Sequence, residues 1–250
     1  MPKPVALQLY SVRDMAAQDL PGTLKAVANI GYEYVEMAGM YGKTPKEVRK
    51  LLDAAGLKAC SAHCAVFDAA KREQVEEEAK ALGYKHLVSG FGPKDFENEE
   101  SIRAICQKIN DAVNHFAPKG YTISIHNHDW EYSAPQKGDL MLELCPKACP
   151  QFDIYWVKTG GANPAEVIQR YIRRVKLLHV KDGPATQEKK SPMTAVGKGT
   201  VDVAAAIRAA EKGPLEYLIV ELDSCETDML AAVRDSYNFL IGRNLASGRK

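Results

Sequence analysis

The chain has 250 residues, of which 46% are hydrophobic and 26% are charged, and its 33 basic and 32 acidic residues give a formal net charge of +1. This composition suits a soluble globular protein, and the near-neutral charge provides no general attraction to nucleic acid or to anionic membranes. No apolar run approaches the roughly 20 residues that a membrane-spanning helix needs, and the N-terminal residues show no signal-peptide pattern, so we expect a cytoplasmic protein.

Short apolar runs alternate with segments of helical periodicity along the whole chain. In chain order, the predicted strands are residues 5–9, 34–36, 59–61, 86–88, 122–125, 153–155, 176–180 and 217–220. The intervening segments predict helices over residues 20–29, 45–55, 71–82, 99–116, 139–144, 164–171, 203–211 and 227–240. Because parallel strands joined by helices close into a barrel when the unit repeats about eight times, we predict a single α/β domain over residues 1–250, a (β/α)8 TIM barrel.

Glycines punctuate this pattern at the ends of several predicted helices. Four of them precede an aromatic residue or leucine just before a strand, namely Gly31, Gly56, Gly83 and Gly120. A glycine at this position accommodates the left-handed backbone that often ends a helix. No Pro/Ser-rich linker interrupts the repeat, which again indicates one domain.

The six cysteines show no spacing typical of a zinc site. Two pairs lie four residues apart, but neither forms a CxxC motif. We therefore expect reduced thiols, most of which pack as small hydrophobic residues.

Four of the later strands end in residues that bind metals well. Residues 123–131 read ISIHNHDWE, so an apolar strand runs directly into His126, His128 and Glu131. Further downstream, three short hydrophobic runs each end in one candidate ligand: Asp153, His179 and Glu221. Because the carboxyl ends of barrel strands open onto one mouth, we expect these side chains to converge there.

Carboxylates combined with imidazole, and without thiolates, suit one divalent ion such as Mn²⁺, Mg²⁺, Co²⁺ or Zn²⁺ and argue against a structural zinc site. Such an ion can bind adjacent oxygens of a polyol or hydroxy-ketone. It then stabilises the enediolate that forms when a proton leaves the carbon next to a carbonyl. A neighbouring carboxylate or imidazole can carry that proton.

His126 and His128 flank Asn127. If the strand continues that far, their side chains point to opposite sides of the sheet. One would then face the barrel interior, while the other would be structural.

Six segments in the same order and spacing resemble one known superfamily. They are ALQLYSVRD (6–14), GYEYVE (31–36), IHNHDWE (125–131), LLHVKD (177–182), VGKGTVD (196–202) and IVELD (219–223). On these motifs, the chain resembles the sugar phosphate isomerase/epimerase superfamily, the xylose isomerase-like TIM barrels, nearly from end to end. The motifs do not identify a substrate.

The resemblance implies a metal bound by a carboxylate on strand five, an Asp on strand six, a His on strand seven and a Glu on strand eight. The last three match Asp153, His179 and Glu221. On strand five, many relatives have Glu where His126 stands in this chain. We favour Glu131 as the ligand, with His126 nearby as a proton carrier or substrate contact; the alternative is that His126 itself binds the metal.

Strand six departs from the pattern of relatives, which often place a substrate-contacting His after the metal-binding Asp. Here Trp156 stands at the position of that His, and Asn163 replaces a second Asp. An indole offers an apolar face for a sugar ring and one N–H donor, but no acid–base function. Lys158 is then a secondary candidate for proton transfer, and simple packing is the alternative role of Trp156.

Other residues are candidates for contact with the substrate. Glu36 resembles a substrate-contacting carboxylate of relatives, and His63 is expected to line the mouth, although either residue could be structural. Gln8 can form hydrogen bonds with hydroxyl groups or pack in the barrel floor. Lys181 can hold an anionic group or a developing oxyanion, or it can form a surface ion pair. The polar stretch 182–201, which carries Lys189 and Lys190, could cover the mouth as a lid or be an ordinary loop.

The function implied is a metal-dependent isomerase or epimerase of a small sugar or sugar phosphate. The catalytic candidates are His126, Glu131, Glu221 and Lys181, and the substrate-binding candidates are Gln8, Glu36, His63, His128, Trp156 and Lys158. The same metal site can also catalyse β-elimination, as a dehydratase or keto-glycoside lyase does. Dimers are common in the superfamily, so a homodimer agrees with the resemblance, although no segment marks an interface.

Two functions of other classes have weaker support or remain open. Endonucleases that act at abasic sites share this barrel, but they need several metals and a basic surface, which a nearly neutral chain with six histidines does not provide. A non-catalytic sugar-binding protein would keep the barrel and bind its ligand without turnover.

Overall fold

Eight parallel strands close into a barrel in the computed structural model, which describes residues 1–133, 137–186 and 191–249. The barrel closes because β1 pairs with both β2 and β8. The strands are β1 Lys3–Gln8, β2 Tyr34–Met37, β3 Lys58–His63, β4 His86–Ser89, β5 Thr122–His126, β6 Cys149–Asp153, β7 Leu177–Val180 and β8 Tyr217–Val220. The predicted TIM barrel is therefore confirmed.

Helices connect the strands around the outside of the barrel. They are α1 Arg13–Gln18, α2 Leu20–Ile30, α3 Pro45–Ala55, α4 Arg72–Leu82, α5 Glu99–Phe116, α6 Lys137–Leu144, α7 Ile154–Thr159, α8 Pro164–Arg170, α9 Val203–Ala210 and α10 Met229–Gly242. Short 3₁₀ turns cover Leu9–Val12, Ala69–Lys71, Pro93–Phe96, Ala117–Lys119 and Ile172–Arg174.

Local sequence signals account for the helix ends that were predicted well. Thr44 caps α3 by accepting a hydrogen bond from the backbone N–H of Glu47, whose side chain in turn binds the Thr44 N–H. Asn98 caps α5 through the Ser101 N–H. At the other end of α4, Gly83 has φ +81°, the left-handed conformation expected for a glycine that ends a helix.

The core has two parts. A large apolar cluster includes Val5 and Leu7 of β1, together with the buried residues of the surrounding helices. The intervening residue, Ala6, belongs to a second, small cluster with Cys60, Val88, Leu177 and Ile219. Because side chains alternate along a strand, this second cluster packs in the barrel interior below the C-terminal mouth.

Strand six begins and ends earlier than predicted. The sequence predicted a strand over residues 153–155, whereas β6 ends at Asp153 and residues 154–159 form α7. The reason is local: Asp153 Oδ1 accepts hydrogen bonds from the N–H groups of Tyr155 and Trp156, which starts the helix. Asp153 thus ends one element and caps the next.

Three elements were not predicted. The short helices α1 and α7 carry too few turns for a clear periodicity. A ninth strand, β9 Ala246–Ser247, pairs in parallel with β1 at Lys3 and Pro4. Arg249 continues this contact by donating its backbone N–H to the carbonyl of Gly31.

Two further expectations can be compared with the structure. All six cysteines are free, as expected. Within the described ranges, every helix is too short or too polar to cross a lipid bilayer.

The loop after β7 folds around one carboxylate. Asp182 accepts hydrogen bonds from the backbone N–H groups of Gly183, Gly197, Gly199 and Val201, at 2.8–3.1 Å. Both glycine N–H groups of the turn at residues 197–199 are therefore engaged by the side chain of Asp182. Lys189 and Lys190, which belong to the proposed lid, lie outside the described residues.

Candidate active site

Four buried side chains come together at the C-terminal end of the barrel. One potential ligand atom from each lies within 4.8 Å of the others, and the residues are His126, Asp153, His179 and Glu221. His126 and Asp153 are the last residues of β5 and β6, His179 lies in β7, and Glu221 follows β8. Two imidazoles and two carboxylates form a donor set that suits a divalent cation.

Asp153 presents one oxygen to this group. Its Oδ1 is engaged in capping α7, whereas Oδ2 is buried and has no hydrogen-bond partner among the described residues. Oδ2 lies 4.0 Å from His179 Nδ1 and 3.1 Å from Lys181 Nζ. Burial raises the pKa of Asp153, and Lys181 opposes that shift. A buried carboxylate oxygen that lacks a hydrogen bond fits the role of a cation ligand.

His179 is held between two carboxylates. Its Nδ1 lies 2.9 Å from Glu221 Oε2, and its Nε2 lies 2.6 Å from Glu36 Oε1. Burial lowers the pKa of His179, but Glu36 and Glu221 outweigh burial and raise it to about 10. Because Glu36 occupies Nε2, Nδ1 is the nitrogen that faces the other candidate ligands.

Glu36 lies behind the candidate ligands. It is fully buried and does not line the cavity. Besides His179, it accepts hydrogen bonds from Gln8 Nε2, Ser61 Oγ and Gln151 Nε2. The structure therefore places Glu36, a predicted substrate contact, behind the cavity wall, where it contacts other side chains. Burial raises the pKa of Glu36, but His63 and His179 outweigh burial and hold it well below its usual range.

Gln151 was missed by sequence reasoning, and it sets the orientation of two imidazoles. Its Nε2 donates to Glu36 Oε2 at 2.7 Å, so its Oε1 must face away from that carboxylate. Oε1 lies 3.0 Å from His63 Nε2 and 3.1 Å from His126 Nδ1. Both of these nitrogens therefore carry the proton, which leaves the Nε2 lone pair of His126 available. Gln151 precedes Asp153 by two residues, so the correct bounds of β6 would have placed both on one face of the strand.

Glu131 does not join the group. Its Oε2 accepts a hydrogen bond from the backbone N–H of His128 at 3.0 Å, within its own loop. Burial raises the pKa of Glu131 to about 8. The structure thus places His126, and not Glu131, with the other three candidate ligands. His126 ends β5 and therefore lies at the mouth of the barrel, whereas the turn that follows directs the Glu131 side chain towards the backbone of His128.

Lys181 is a buried cation at the edge of the group, and not a surface ion pair. Its Nζ lies 2.8 Å from Glu221 Oε2, 3.1 Å from Asp153 Oδ2 and 3.1 Å from Asp223 Oδ1. Burial lowers the pKa of Lys181, but these carboxylates outweigh burial and raise it well above its usual value. Lys181 therefore remains an ammonium ion that donates hydrogen bonds.

A cavity of about 470 Å³ opens above these residues. Of the predicted site residues, Gln8, His63, His126, His128, Trp156, Lys181 and Glu221 line it. Gln8 also has its amide engaged, because Nε2 donates to Glu36 and Oε1 accepts the Tyr10 N–H. Sequence reasoning did not single out Phe91 or Trp130, which also line the cavity.

His126 and His128 both line this cavity, and the condition under which they would point to opposite sides, a strand that continues beyond His126, is not met. The strand ends at His126, and alternation does not continue beyond it. The ring of His128 stacks on Trp130 with centroids 4.2 Å apart and an interplanar angle of 14°. Burial, followed by Lys181, lowers the pKa of His128 to about 4, and burial with His179 holds that of His126 well below its usual value. Both imidazoles are therefore neutral at physiological pH.

Lys158 is not part of the cavity wall. Its side chain extends from α7 and donates a hydrogen bond to the carbonyl of Thr200 in the loop after β7. The structure therefore places Lys158, a predicted substrate contact, against that loop, because the turn of α7 directs it there. Trp156, on the same helix, does line the cavity.

A family model described as xylose isomerase-like TIM barrel matches residues 24–241. Among curated proteins, the chain is similar to an inosose dehydratase from Clostridium botulinum (strain Alaska E43 / Type E3), with 25% identity over 184 residues, or 64% of this chain and 62% of that protein. It therefore matches less than two thirds of the length of that relative. An inosose dehydratase from Clostridium perfringens is 22% identical over 242 residues, which cover 80% of this chain and 81% of the relative.

Solved structures share the fold. A sugar phosphate isomerase/epimerase from Parabacteroides distasonis ATCC 8503 superimposes with a TM-score of 0.80 and 23% identity, covering 99% of this chain and 96% of that one. A probable 3-DHS dehydratase from Bacillus anthracis gives a TM-score of 0.77 at 14% identity, covering 96% and 100% of the two chains. An L-ribulose 3-epimerase gives 0.74 at 13% identity, covering 98% and 95%.

Proposed function

Because this chain belongs to the xylose isomerase-like TIM barrel family, we propose that it is a metal-dependent isomerase or epimerase that moves a proton next to the carbonyl of a small carbohydrate. One observation carries the proposal. Four donor atoms from His126, Asp153, His179 and Glu221 lie within 4.8 Å of one another, and two of these residues, His126 and Glu221, line a cavity large enough for a sugar.

These four residues would hold a divalent cation, with Nδ1 of His179 and Oδ2 of Asp153 facing it. Glu36 would keep His179 oriented from behind, as carboxylates commonly do for metal-binding imidazoles. The chemistry that such an ion supplies when bound is polarisation of the substrate's carbonyl oxygen, which stabilises negative charge on it.

The chain's own residues supply the proton transfers. Burial raises the pKa of Glu221, but Lys181 and His179 outweigh burial and hold it well below its usual range. Glu221 is therefore an ionised carboxylate at the cavity, able to accept a proton from a carbon next to the carbonyl. Lys181 holds Asp153, Glu221 and Asp223 through its ammonium group and adds positive charge beside the cavity, which favours negative charge on a substrate oxygen there. His126 can serve either as a ligand or as a proton acceptor through its free Nε2.

Solvent exchange tests this proposal. The purified protein, supplied with Mn²⁺ or Mg²⁺, is incubated in deuterated water with ketoses, keto-inositols and 3-keto-glucosides. We expect deuterium to enter at the carbon next to the carbonyl, with or without net conversion, and the variant Asp153→Asn to lose this exchange. If a carbohydrate binds the metal-loaded protein and no substrate in the panel exchanges deuterium, the protein is a sugar-binding protein and the catalytic proposal is wrong.

A second candidate function is β-elimination at the same site, as in a dehydratase or keto-glycoside lyase. Two observations favour it: the curated relatives are named inosose dehydratases, and His128 lines the cavity with its Nδ1 lacking a hydrogen-bond partner among the described residues, so that this imidazole can donate to a leaving hydroxyl group. In the same experiment, loss of water or of an aglycone from the substrate would identify elimination, whereas exchange without loss would identify isomerisation.

A further inference from the structure

The walls of the cavity above the candidate ligands are largely aromatic. His128 and Trp130 form a nearly parallel stack, and Trp156 lies beside it with its ring centroid 6.3 Å from that of His128. On the other side, Phe91 lines the cavity and is itself stacked on Phe67 at 4.8 Å. Flat aromatic surfaces of this kind pack against the C–H face of a sugar or cyclitol ring.

The charge at the cavity is unsuited to a phosphate group. Among the described lining residues, Lys181 provides the one ammonium or guanidinium group, and it already contacts Asp153, Glu221 and Asp223. Arg13, the first residue of α1, is engaged with the backbone carbonyls of Tyr10 and Asp223. A phosphate dianion would therefore meet the carboxylate of Asp223, and both of these cations are already engaged by groups of the chain.

We propose that the substrate is an uncharged sugar or cyclitol ring that stacks on the His128–Trp130 pair, and that the carboxylate of Asp223 disfavours phosphorylated sugars. This inference rests on the proposed function for the assumption that the cavity binds a carbohydrate. It selects the free sugar from the two classes, sugar and sugar phosphate, that the family resemblance leaves open.

Tryptophan fluorescence reports directly on this cavity. The chain contains two tryptophans, Trp130 and Trp156, and both line the cavity. The purified protein in millimolar Mg²⁺ is titrated with matched pairs: D-fructose and D-fructose 6-phosphate, D-ribulose and D-ribulose 5-phosphate, and myo-inositol and myo-inositol 1-phosphate. We expect at least one neutral member to change the fluorescence, and its phosphate ester to bind at least about tenfold more weakly.

Two pairs of variants separate stacking from charge. Trp130→Ala is expected to weaken binding of the neutral ring by about tenfold, whereas Trp130→Phe, which keeps an aromatic surface, should change it less than about threefold; Trp156 remains as the reporter. Asp223→Asn is expected to reduce the preference for the neutral ring over its ester severalfold. Asp235→Asn, which removes an exposed carboxylate on α10 outside this cavity, should leave that preference unchanged.

Each outcome bears on the inference. Tighter binding of an ester than of its parent sugar would overturn it, whichever residues hold the phosphate, and so would the failure of every neutral ring to alter the fluorescence. Equal effects of Trp130→Ala and Trp130→Phe would overturn the stacking. Binding of a neutral ring without deuterium exchange would leave the inference intact and reject the catalytic function. Turnover of a phosphate ester would support the catalytic function and reject the inference.

Discussion

The carboxylate of Glu36 links most of the polar side chains below the cavity. It contacts His179 directly and fixes the amide of Gln151, whose oxygen in turn binds His63 and His126. One buried residue thereby sets the tautomers of two imidazoles and the ring orientation of a third. None of these contacts places Glu36 on the substrate.

Replacing Glu36 by Gln should weaken metal binding without removing a ligand. The amide keeps the size of the side chain but cannot hold His179 by a charged hydrogen bond, so we expect the metal affinity to fall by about 10–100-fold. Isothermal titration with Mn²⁺ measures this. An unchanged affinity in a folded Glu36→Gln variant would show that Glu36 does not position His179.

The strand-five ligand is a second question at the residue scale. His126→Gln should reduce metal affinity strongly, because the group of four loses one nitrogen donor. Glu131→Gln is the matched control and should leave the affinity unchanged, since Glu131 folds back on its own loop. The reverse result, with loss in Glu131→Gln alone, would restore Glu131 as the ligand.

Metal binding should also release a proton. Because the pKa of His179 is about 10, its free form holds two ring protons at neutral pH, and a cation at Nδ1 must displace one. We expect the apparent affinity to rise as the pH increases towards about 10, with about one proton released per ion. Titrations in buffers of different ionisation enthalpy count the released protons, and a count near zero would contradict a protonated His179.

At the scale of elements, the loop after β7 depends on Asp182. A single buried carboxylate receives four backbone N–H groups from residues up to 19 positions away in the chain. These bonds replace the secondary structure that the loop lacks. The turn at residues 197–199 is therefore an internal binding site for a side chain.

Asp182→Asn should loosen this loop while the barrel stays folded. The amide nitrogen of asparagine is itself a hydrogen-bond donor, so it cannot accept the backbone N–H groups that one carboxylate oxygen of Asp182 accepts. We therefore expect a loss of about 2–4 kcal/mol in the free energy of unfolding and faster proteolysis within residues 183–201. Asp202→Asn is a suitable control because Asp202 caps α9, and asparagine caps helices about equally well. Similar effects in both variants would argue against a special role for Asp182.

At the scale of the whole molecule, burial of Glu131 makes stability depend on pH. In the folded protein its carboxyl group keeps a proton up to about pH 8, whereas in the unfolded chain it ionises near its usual value of about 4.3. Between these values the unfolded state binds fewer protons, so the free energy of unfolding falls as the pH rises. Below this window Glu131 contributes no penalty, and above it the penalty is constant.

The free energy of unfolding of the parent protein should therefore fall between about pH 5 and about pH 8.5, and Glu131→Gln should remove the part of this fall due to Glu131, on the order of 4 kcal/mol at most. Urea denaturation of both proteins at the two pH values measures this difference. Glu143→Gln, which changes an exposed carboxylate on α6, should leave the pH profile as in the parent protein. If the profile of Glu131→Gln is as steep as that of the parent protein, Glu131 is already ionised in the folded state.

The sequence by itself determined the order of strands and helices and three of the four grouped residues. Alternation, helical periodicity and capping motifs are local, so α3, α5 and β8 have the predicted bounds. The barrel then makes the ends of distant strands converge, which is why Asp153, His179 and Glu221 lie together. Strand six was placed too late because Asp153 caps α7, whose six residues are too few for a clear helical periodicity.

Only the tertiary structure decided how these side chains contact one another. The turn after β5 separated Glu131 from His126, and the register between β6 and its neighbours brought Gln151 to Glu36. At the end of the barrel, the buried ammonium group of Lys181 contacts three carboxylates from other segments of the chain. Such contacts depend on the relative positions of strands across the barrel and on the exclusion of water, and neither property is encoded in any single segment of the chain.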